Sequence, residues 1–250
     1  MGATDVVSFL AILGVPENMP IKIAEGMLKG INDLLSELGT TTITGGHTII
    51  NPWPLVGGVA SGIAHPDQIV THKNARPNDV VLLTKPLGTQ PAMACYRGLL
   101  DPSVAEQILG LMSRKAAEEI VQKGIDIMTR TNKPVAEAMS AVKPHASTDV
   151  TGFGLLGHSR NLAGESKVNI DIHTIPIIKG TLELSDLFGY GLQSGESAET
   201  AGGMILIVSE DQKESLESEL DKGSVNHYEI GTVRKGSGKV DTSKAEILEV

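Results

Sequence analysis

Hydrophobic residues recur along residues 20–39 with the period of a helix. Ile23, Met27, Ile31, Leu34, Leu35 and Leu38 form one stripe, opened by Pro20 and closed by Gly39. Residues 4–13 place Val6, Val7, Leu10 and Leu13 on one helical face, with Thr4 or Asp5 as cap and Gly14 as stop, and so predict a shorter helix before it. The β-branched residues 40–44 predict a strand running into Gly45 and Gly46. Residues 55–64 alternate as a strand does, with Gly58, Ala60, Gly62 and Ala64 on one face and Leu55, Gly57, Val59 and Ile63 on the other. A face so bare predicts close approach by another backbone or by a ligand.

The polar stretch 72–79 reads as a linker, after which residues 80–84 form a continuous apolar run suited to a strand buried on both faces. Helical patterns follow at 103–123, 135–142 and 211–220, with another opening near Phe153, and residues 91–100 are helix-like. Strands are expected at 168–175, 203–208, 228–234 and 245–250. No short-period repeat or low-complexity tract interrupts this order. The pattern predicts an α/β chain with its domain boundary within residues 72–79.

Composition narrows the class. With 250 residues, 40% of them hydrophobic, the chain can bury one large core or two small ones. Aromatic residues make up only 3%, so Ile, Leu, Val, Ala and Met must fill those cores, while 28 glycines demand tight turns or close backbone contacts. The formal charge of −9, with no basic run longer than two residues, argues against a nucleic-acid partner. Cys95 is the one cysteine, which excludes an internal disulfide, fits a reducing cytoplasm and, in its apolar segment, predicts a buried structural thiol. No apolar run approaches the ~20 residues of a membrane span, the start lacks the basic region of a signal peptide, and Val6 stands where a myristoylation signal needs Ser or Thr. A cytoplasmic, soluble protein with no membrane partner is expected.

Candidate chemistry gathers at glycine turns. In His145-Ala-Ser-Thr-Asp149-Val-Thr-Gly152-Phe-Gly154-Leu-Leu-Gly157-His158, one carboxylate precedes a glycine-rich turn that opens a helix. Gly152-x-Gly154-x-x-Gly157 matches the dinucleotide fingerprint, and Asp171 lies where a ribose-binding acid is expected. The context argues against that reading: residues 143–149 are polar and carry Pro144, and Asp149 would repel a bare pyrophosphate. Mg²⁺ between the carboxylate and nucleotide phosphates reverses the sign, with Thr148 and Thr151 adding hydroxyl contacts and the helix opening offering free amides. The alternative is Asp149 as N-cap of the following helix.

Thr44-Gly45-Gly46-His47-Thr48 follows a predicted strand. Its paired glycines would let a ligand reach the backbone beside His47 and Thr48, although a strand-ending turn with a solvated histidine explains the same residues. Lys85 in Thr84-Lys85-Pro86-Leu87-Gly88-Thr89 lacks P-loop spacing and reads as structural or rim-exposed. His145, His158, His173 and His227 show no paired spacing for zinc. Trp53, in Asn51-Pro-Trp-Pro54, reads as a packing residue. Glu196-Ser-Ala-Glu199-Thr-Ala-Gly-Gly203 joins acids to a glycine pair without a local chemical reading.

In order and at their spacing, Gly45-Gly46-His47-Thr48-x-x-Asn51-Pro, Leu83-Thr-Lys-Pro-Leu-Gly-Thr89, His145-Ala-x-Thr-Asp149-x-Thr-Gly-Phe-Gly-Leu-Leu-Gly-His158 and Glu199-Thr-x-Gly-Gly203 closely resemble selenophosphate synthetase (selenide, water dikinase). The resemblance covers essentially the whole chain, within a superfamily that includes aminoimidazole ribonucleotide synthetase. It implies that superfamily's two-domain α/β (α+β) fold. Residues 1–72 would be an N-terminal ATP-binding and dimerisation domain contributing to a dimeric β-barrel, and residues 73–250 a C-terminal α/β sandwich. It further implies a homodimer with ATP near the barrel interface, Gly45, Gly46, His47 and Thr48 contacting the nucleotide, and Asp149 ligating Mg²⁺. The barrel would account for the small-residue face of residues 55–64.

The reaction implied converts ATP, selenide and water into selenophosphate, AMP and phosphate. The family pattern begins with a glycine-rich segment bearing a Cys or selenocysteine and a Lys, then further metal-binding Asp residues ahead of an Ala-Met-Gly. This sequence starts at that Met-Gly, and Cys95 lies in a different segment, so no catalytic nucleophile is assigned. The expectation is a chain that folds and dimerises but turns over slowly or not at all. The alternatives are another ATP-dependent synthetase or kinase of the superfamily, and a non-catalytic dimeric scaffold.

Overall fold

Val6–Val15 forms a strand, β1, at the centre of a three-stranded sheet in the computed structural model, which describes residues 1–39 and 41–250. The helix expected over residues 4–13 is not formed. The stripe of Val6, Val7, Leu10 and Leu13 lies in a nearly unbroken apolar run that suits either element. Pairing on both sides satisfies the β1 backbone and decides for the strand. β1 runs parallel to β2 (Ile43–Ile50) and antiparallel to β3 (Leu55–Gly62), and α1 (Ile21–Glu37) makes the crossover that parallel β1 and β2 require. α1 begins after Pro20 and is followed by Gly39 at φ +63°, as its sequence signals predict.

These four elements belong to one compact unit, Gly2–Ile69. Thr40, the first residue of the strand expected over 40–44, lies outside the described residues. β2 begins at Ile43 and continues to Ile50, so Gly45, Gly46, His47 and Thr48 lie inside an edge strand and not in a turn after one. The small residues of the sheet make room for its own chain. A Cβ on Gly46 (φ +152°) would sit 1.9 Å from the Ala11 carbonyl oxygen, and one on Gly58 would sit 2.2 Å from Cζ of Phe9. At Gly58 the bare face of β3 is thus covered by a neighbouring aromatic ring, not by a ligand.

The other unit comprises Val70–Val250 with Met1. Its main sheet runs from β5 (Ala146–Asp149) at one edge through β8 (Met204–Val208), β4 (Val80–Leu83), β9 (Tyr228–Lys235) and β6 (Val168–Ile172) to β10 (Val240–Asp241). Neighbours are antiparallel except β6 and β10, while β7 (Thr174–Ile177) and β11 (Glu246–Glu249) form a separate parallel pair. β4 and β8 are buried throughout, as their apolar runs predict. Val80, Leu82, Leu206 and Val208 join a core with residues of α5 (Lys133–Val142) and α8 (Glu210–Lys222). Val81, Leu83, Ile205 and Ile207 join another with Leu155 and Leu162 of α6 (Gly154–Ser166). Sheet faces alternate residue by residue, so these strands need apolar side chains at every position.

A third cluster is helical. It packs Ala92 and Cys95 of α2 (Thr89–Gly98) with Ile108 of α3 (Pro102–Leu111), Ala117 and Ile120 of α4 (Arg114–Thr129) and Leu184 of α7 (Thr181–Phe188). The single helix expected over 103–123 is two, because Ser113 interrupts it and caps the second through the Ala116 amide at 3.2 Å. The strand expected over 168–175 is also two, and its halves enter different sheets. β5 replaces what read as a polar, proline-broken stretch: its register with β8 supplies the ladder, and Ala146 and Ser147 are buried.

Candidate functional site

Asp149 ends β5 opposite Met204 of β8, and the next amide, Val150 N–H, donates to the Gly203 carbonyl at 2.9 Å. The chain then turns into α6 at Gly154, which has φ +64°. A Cβ there would lie within 2.6–2.8 Å of the carbonyl oxygens of Gly195, Glu196 and Ser197, so this glycine serves contact with its own chain. Phe153 occupies the N-cap position with no side-chain cap bond, which removes the capping alternative for Asp149. The half-buried Asp149 carboxylate accepts no hydrogen bond among the described residues.

The surroundings of that carboxylate are heavily tied. The Thr151 amide donates to Nε2 of His158 at 3.0 Å, and the Thr151 hydroxyl lies 3.2 Å from the same nitrogen. The Thr151 carbonyl accepts from the Gly154 amide at 3.0 Å and the Glu199 amide at 2.9 Å. Phe153 packs on the His158 ring, centroid to centroid 5.5 Å. Burial holds the His158 imidazole below its ordinary pKa, with the Asp149 charge pulling the other way. Two amides near the helix opening, those of Gly154 and Leu156, are spent on the Thr151 and Gly195 carbonyls. The helix opening is therefore less free for an anion than the sequence predicts. The Thr148 hydroxyl donates to the Asp149 carbonyl at 3.2 Å, so it too has an internal partner.

Glu199, which has no local reading in the sequence, is the buried organiser of this region. Its carboxylate accepts from the Gly88 amide at 2.7 Å, the Thr89 amide at 2.9 Å and the Thr89 hydroxyl at 2.5 Å. Burial pushes its carboxyl up to about 7, opposed by those hydrogen bonds. Lys85 is structural: Nζ donates to the carbonyls of Arg130 at 2.6 Å and Ala201 at 2.9 Å, and burial, with the nearby Arg130 charge, lowers it to about 8. The signal for both residues is tertiary, since their partners lie far along the chain.

The dinucleotide reading fails on topology as well. β5 and β6, which flank α6, are not neighbours in the sheet, and Asp171 is paired with Arg234, Nε to Oδ2 2.5 Å. An open cleft of about 470 Å³ is lined by His72, Thr148, Arg160 and Asn161. Successive strand residues point to opposite faces, so Thr148 at this cleft directs Asp149 away from it.

Gly45, Gly46, His47 and Thr48 lie together on β2 in the Gly2–Ile69 unit, and Asp149 in the Val70–Val250 unit. All four β2 residues are exposed, at a sheet edge whose outer backbone groups have no strand partner among the described residues. Thr44, the extra residue where the register of β2 shifts against β1, is pinned to β1 through Ser8 Oγ at 3.0 Å and the Phe9 amide at 3.2 Å. Trp53 is 71% exposed and does not pack into the core, contrary to its sequence reading. Cys95 is fully buried as expected, which raises its thiol pKa. Buried Asp79 and partly buried His145 form a pair missed in the sequence, Nδ1 to Oδ2 2.8 Å, at the start of β4.

Residues 76–243 match the AIR synthase related protein, C-terminal domain family. Across its full length the chain is 42% identical to a selenide, water dikinase of Methanocaldococcus jannaschii, covering 73% of that protein. It is 36% identical to selenide, water dikinase 2 of Homo sapiens, covering 58% of that one. Among solved structures it is similar in fold to hydrogenase maturation protein HypE in complex with ATP, with a TM-score of 0.73 at 18% identity over 96% of this chain and 70% of that one. Thiamine monophosphate kinase from Aquifex aeolicus gives a TM-score of 0.70 at 18% identity over 98% of this chain and 77% of that one.

Proposed function

This chain belongs to the selenide, water dikinase family, and from that membership we propose that it consumes ATP and water to convert selenide into selenophosphate, AMP and phosphate. The observation that supports the reading most is the open Asp149 carboxylate beside Thr148 and Thr151, whose own polar groups have internal partners. Among the described residues no group of three or more His, Cys, Asp or Glu is poised for a metal. That suits Mg²⁺, which takes one or two protein carboxylates and completes its shell with phosphate oxygens and water. When bound, Mg²⁺ would neutralise charge developing on the transferred phosphoryl group.

In this reading Asp149 holds the ion. Gly45 and Gly46 bring bare backbone to the nucleotide, and His47 and Thr48 supply hydrogen-bonding side chains. The exposed apolar positions Leu10, Ile12, Ile49, Leu55 and Val59 support a homodimer built on the β1–β3 sheet, since a second copy would remove them from water. Residues 1–72 are then the ATP-binding and dimerisation part, and residues 73–250 carry the metal corner. A lone buried thiol and the absence of any described helix long and apolar enough to cross a membrane support a cytoplasmic setting.

Phosphorus NMR of the protein with selenide, ATP and Mg²⁺ tests the reading. A selenophosphate resonance accompanied by AMP is expected. Release of ADP without it would assign a kinase with another acceptor, and absence of Mg²⁺-dependent nucleotide binding would assign a scaffold.

A further inference from the structure

We propose that His158 is the positioning residue of the Asp149 turn: its unprotonated Nε2 holds the Thr151 amide and thereby fixes where the Asp149 carboxylate points. The inference rests on the proposed role of Asp149 as the Mg²⁺ ligand. A backbone N–H can only donate, so at 3.0 Å the nitrogen facing Thr151 must accept, and a neutral imidazole accepting at Nε2 carries its proton on Nδ1. The Thr151 hydroxyl meets the same nitrogen at 3.2 Å.

The result is a residue held at both its amide and its carbonyl. The Thr151 amide is held by His158, its carbonyl by the Gly154 and Glu199 amides, and the preceding Val150 amide by the Gly203 carbonyl. Rotation of the backbone just after Asp149 would break one of these bonds. His158, the fifth residue of α6, reaches back to the turn, and the ring of Phe153 rests against it. α6 itself is anchored elsewhere, by Leu155 and Leu162 in the core, so the imidazole is placed to hold the turn more than the helix.

Stereochemistry provides the discriminating variants. The amide oxygen of a glutamine lies as many bonds from Cβ as Nε2 of histidine does and can accept in its place. The oxygen of an asparagine stops one bond short, and leucine fills volume without accepting. Calorimetric titration of Mg²⁺ with a non-hydrolysable ATP analogue is to be run on wild type, Asp149→Asn, His158→Leu, His158→Asn and His158→Gln. Melting curves accompany each variant, and long-range proton–nitrogen NMR of the wild type reads the His158 tautomer.

The expected result is an Nδ1–H tautomer, with Mg²⁺-dependent binding weakened roughly three- to tenfold in the leucine and asparagine variants and restored to within about twofold by glutamine. An Nε2–H tautomer overturns the proposal. So does wild-type binding in His158→Leu while Asp149→Asn loses it, or a folded His158→Gln that binds no better than His158→Asn. Wild-type binding in Asp149→Asn, or no Mg²⁺ dependence in the wild type, overturns the reading of Asp149 and takes this proposal with it. Should His158→Leu fail to fold, the tautomer and the glutamine–asparagine comparison still decide.

Discussion

The Glu199 carboxylate accepts hydrogen bonds from both the amide and the hydroxyl of Thr89, a residue 110 positions earlier in the chain. It also takes the Gly88 amide at 2.7 Å, and so sits where the amides opening α2 are otherwise unpaired. The Thr89 hydroxyl in turn accepts from the Thr200 amide at 3.0 Å, and the Glu199 amide reaches Thr151. One buried acid therefore joins the 84–89 turn to the turn that carries Asp149.

That burial gives the first expected outcome. The Glu199 carboxyl is raised from 4.5 to about 7, so folding favours its protonated form. The associated stabilisation is complete below pH 4.5 and is lost as pH rises through 7. Glu199→Gln removes this titration, and the difference in melting temperature between wild type and variant should shift between pH 5 and 8, to the wild type's disadvantage at the higher pH. A difference constant across that window, measured by scanning calorimetry, would contradict the assignment.

Asp149→Asn separates binding from stability. With no hydrogen bond to lose, its unfolding free energy should stay within about 0.5 kcal/mol of wild type. Mg²⁺-dependent binding of an ATP analogue should fall by at least roughly tenfold, the loss of one charged ligand contact. Paired urea melts and calorimetry check both, and a large loss of stability would point to a structural acid instead.

Two glycines of one sheet should respond in opposite ways. Gly46→Ala drives a methyl group onto the Ala11 carbonyl and should cost about 2 kcal/mol or more, with faster amide exchange in β1 and β2. Gly57→Ala meets nothing within 4 Å and should stay within about 0.5 kcal/mol in the isolated chain. Equal effects at the two positions would refute the close approach of β2 to β1.

Leu10 and Val59 are register partners on β1 and β3, and both are exposed. In the proposed homodimer they would be covered, so Leu10→Lys with Val59→Lys should convert a dimer to a monomer in light scattering while leaving far-ultraviolet circular dichroism unchanged. An unaltered mass would place the dimer contact elsewhere.

How far the sequence reveals this structure depends on where the deciding forces act. Val80 to Leu83 and Met204 to Val208 are legible because burial on both faces writes itself into every position. β1 is misread because its apolar spacing fits a helix equally well, and only the neighbours Ile43–Ile50 and Leu55–Gly62 resolve the choice. Asp149 stands out by its place before glycines, yet its strand does not, since the ladder comes from β8. Glu199 is invisible locally, since a carboxylate with three distant donors leaves no periodic trace, and for Lys85 the sequence offers the structural role but not its two distant carbonyl partners.

The edge position of β5 also carries a consequence for biosynthesis. Its ladder partner, β8, lies downstream, and so do Gly195, Glu199 and Gly203, which tether the turn after Asp149. On the ribosome the helices α2, α3 and α4 emerge with their mutual contacts ready, whereas α5 and the Asp149 turn must wait for most of the chain to be translated. The turn proposed to hold the metal is thus completed late, and a nascent chain paused before Met204 exposes an unpaired β5 edge that a chaperone or a neighbouring chain can capture.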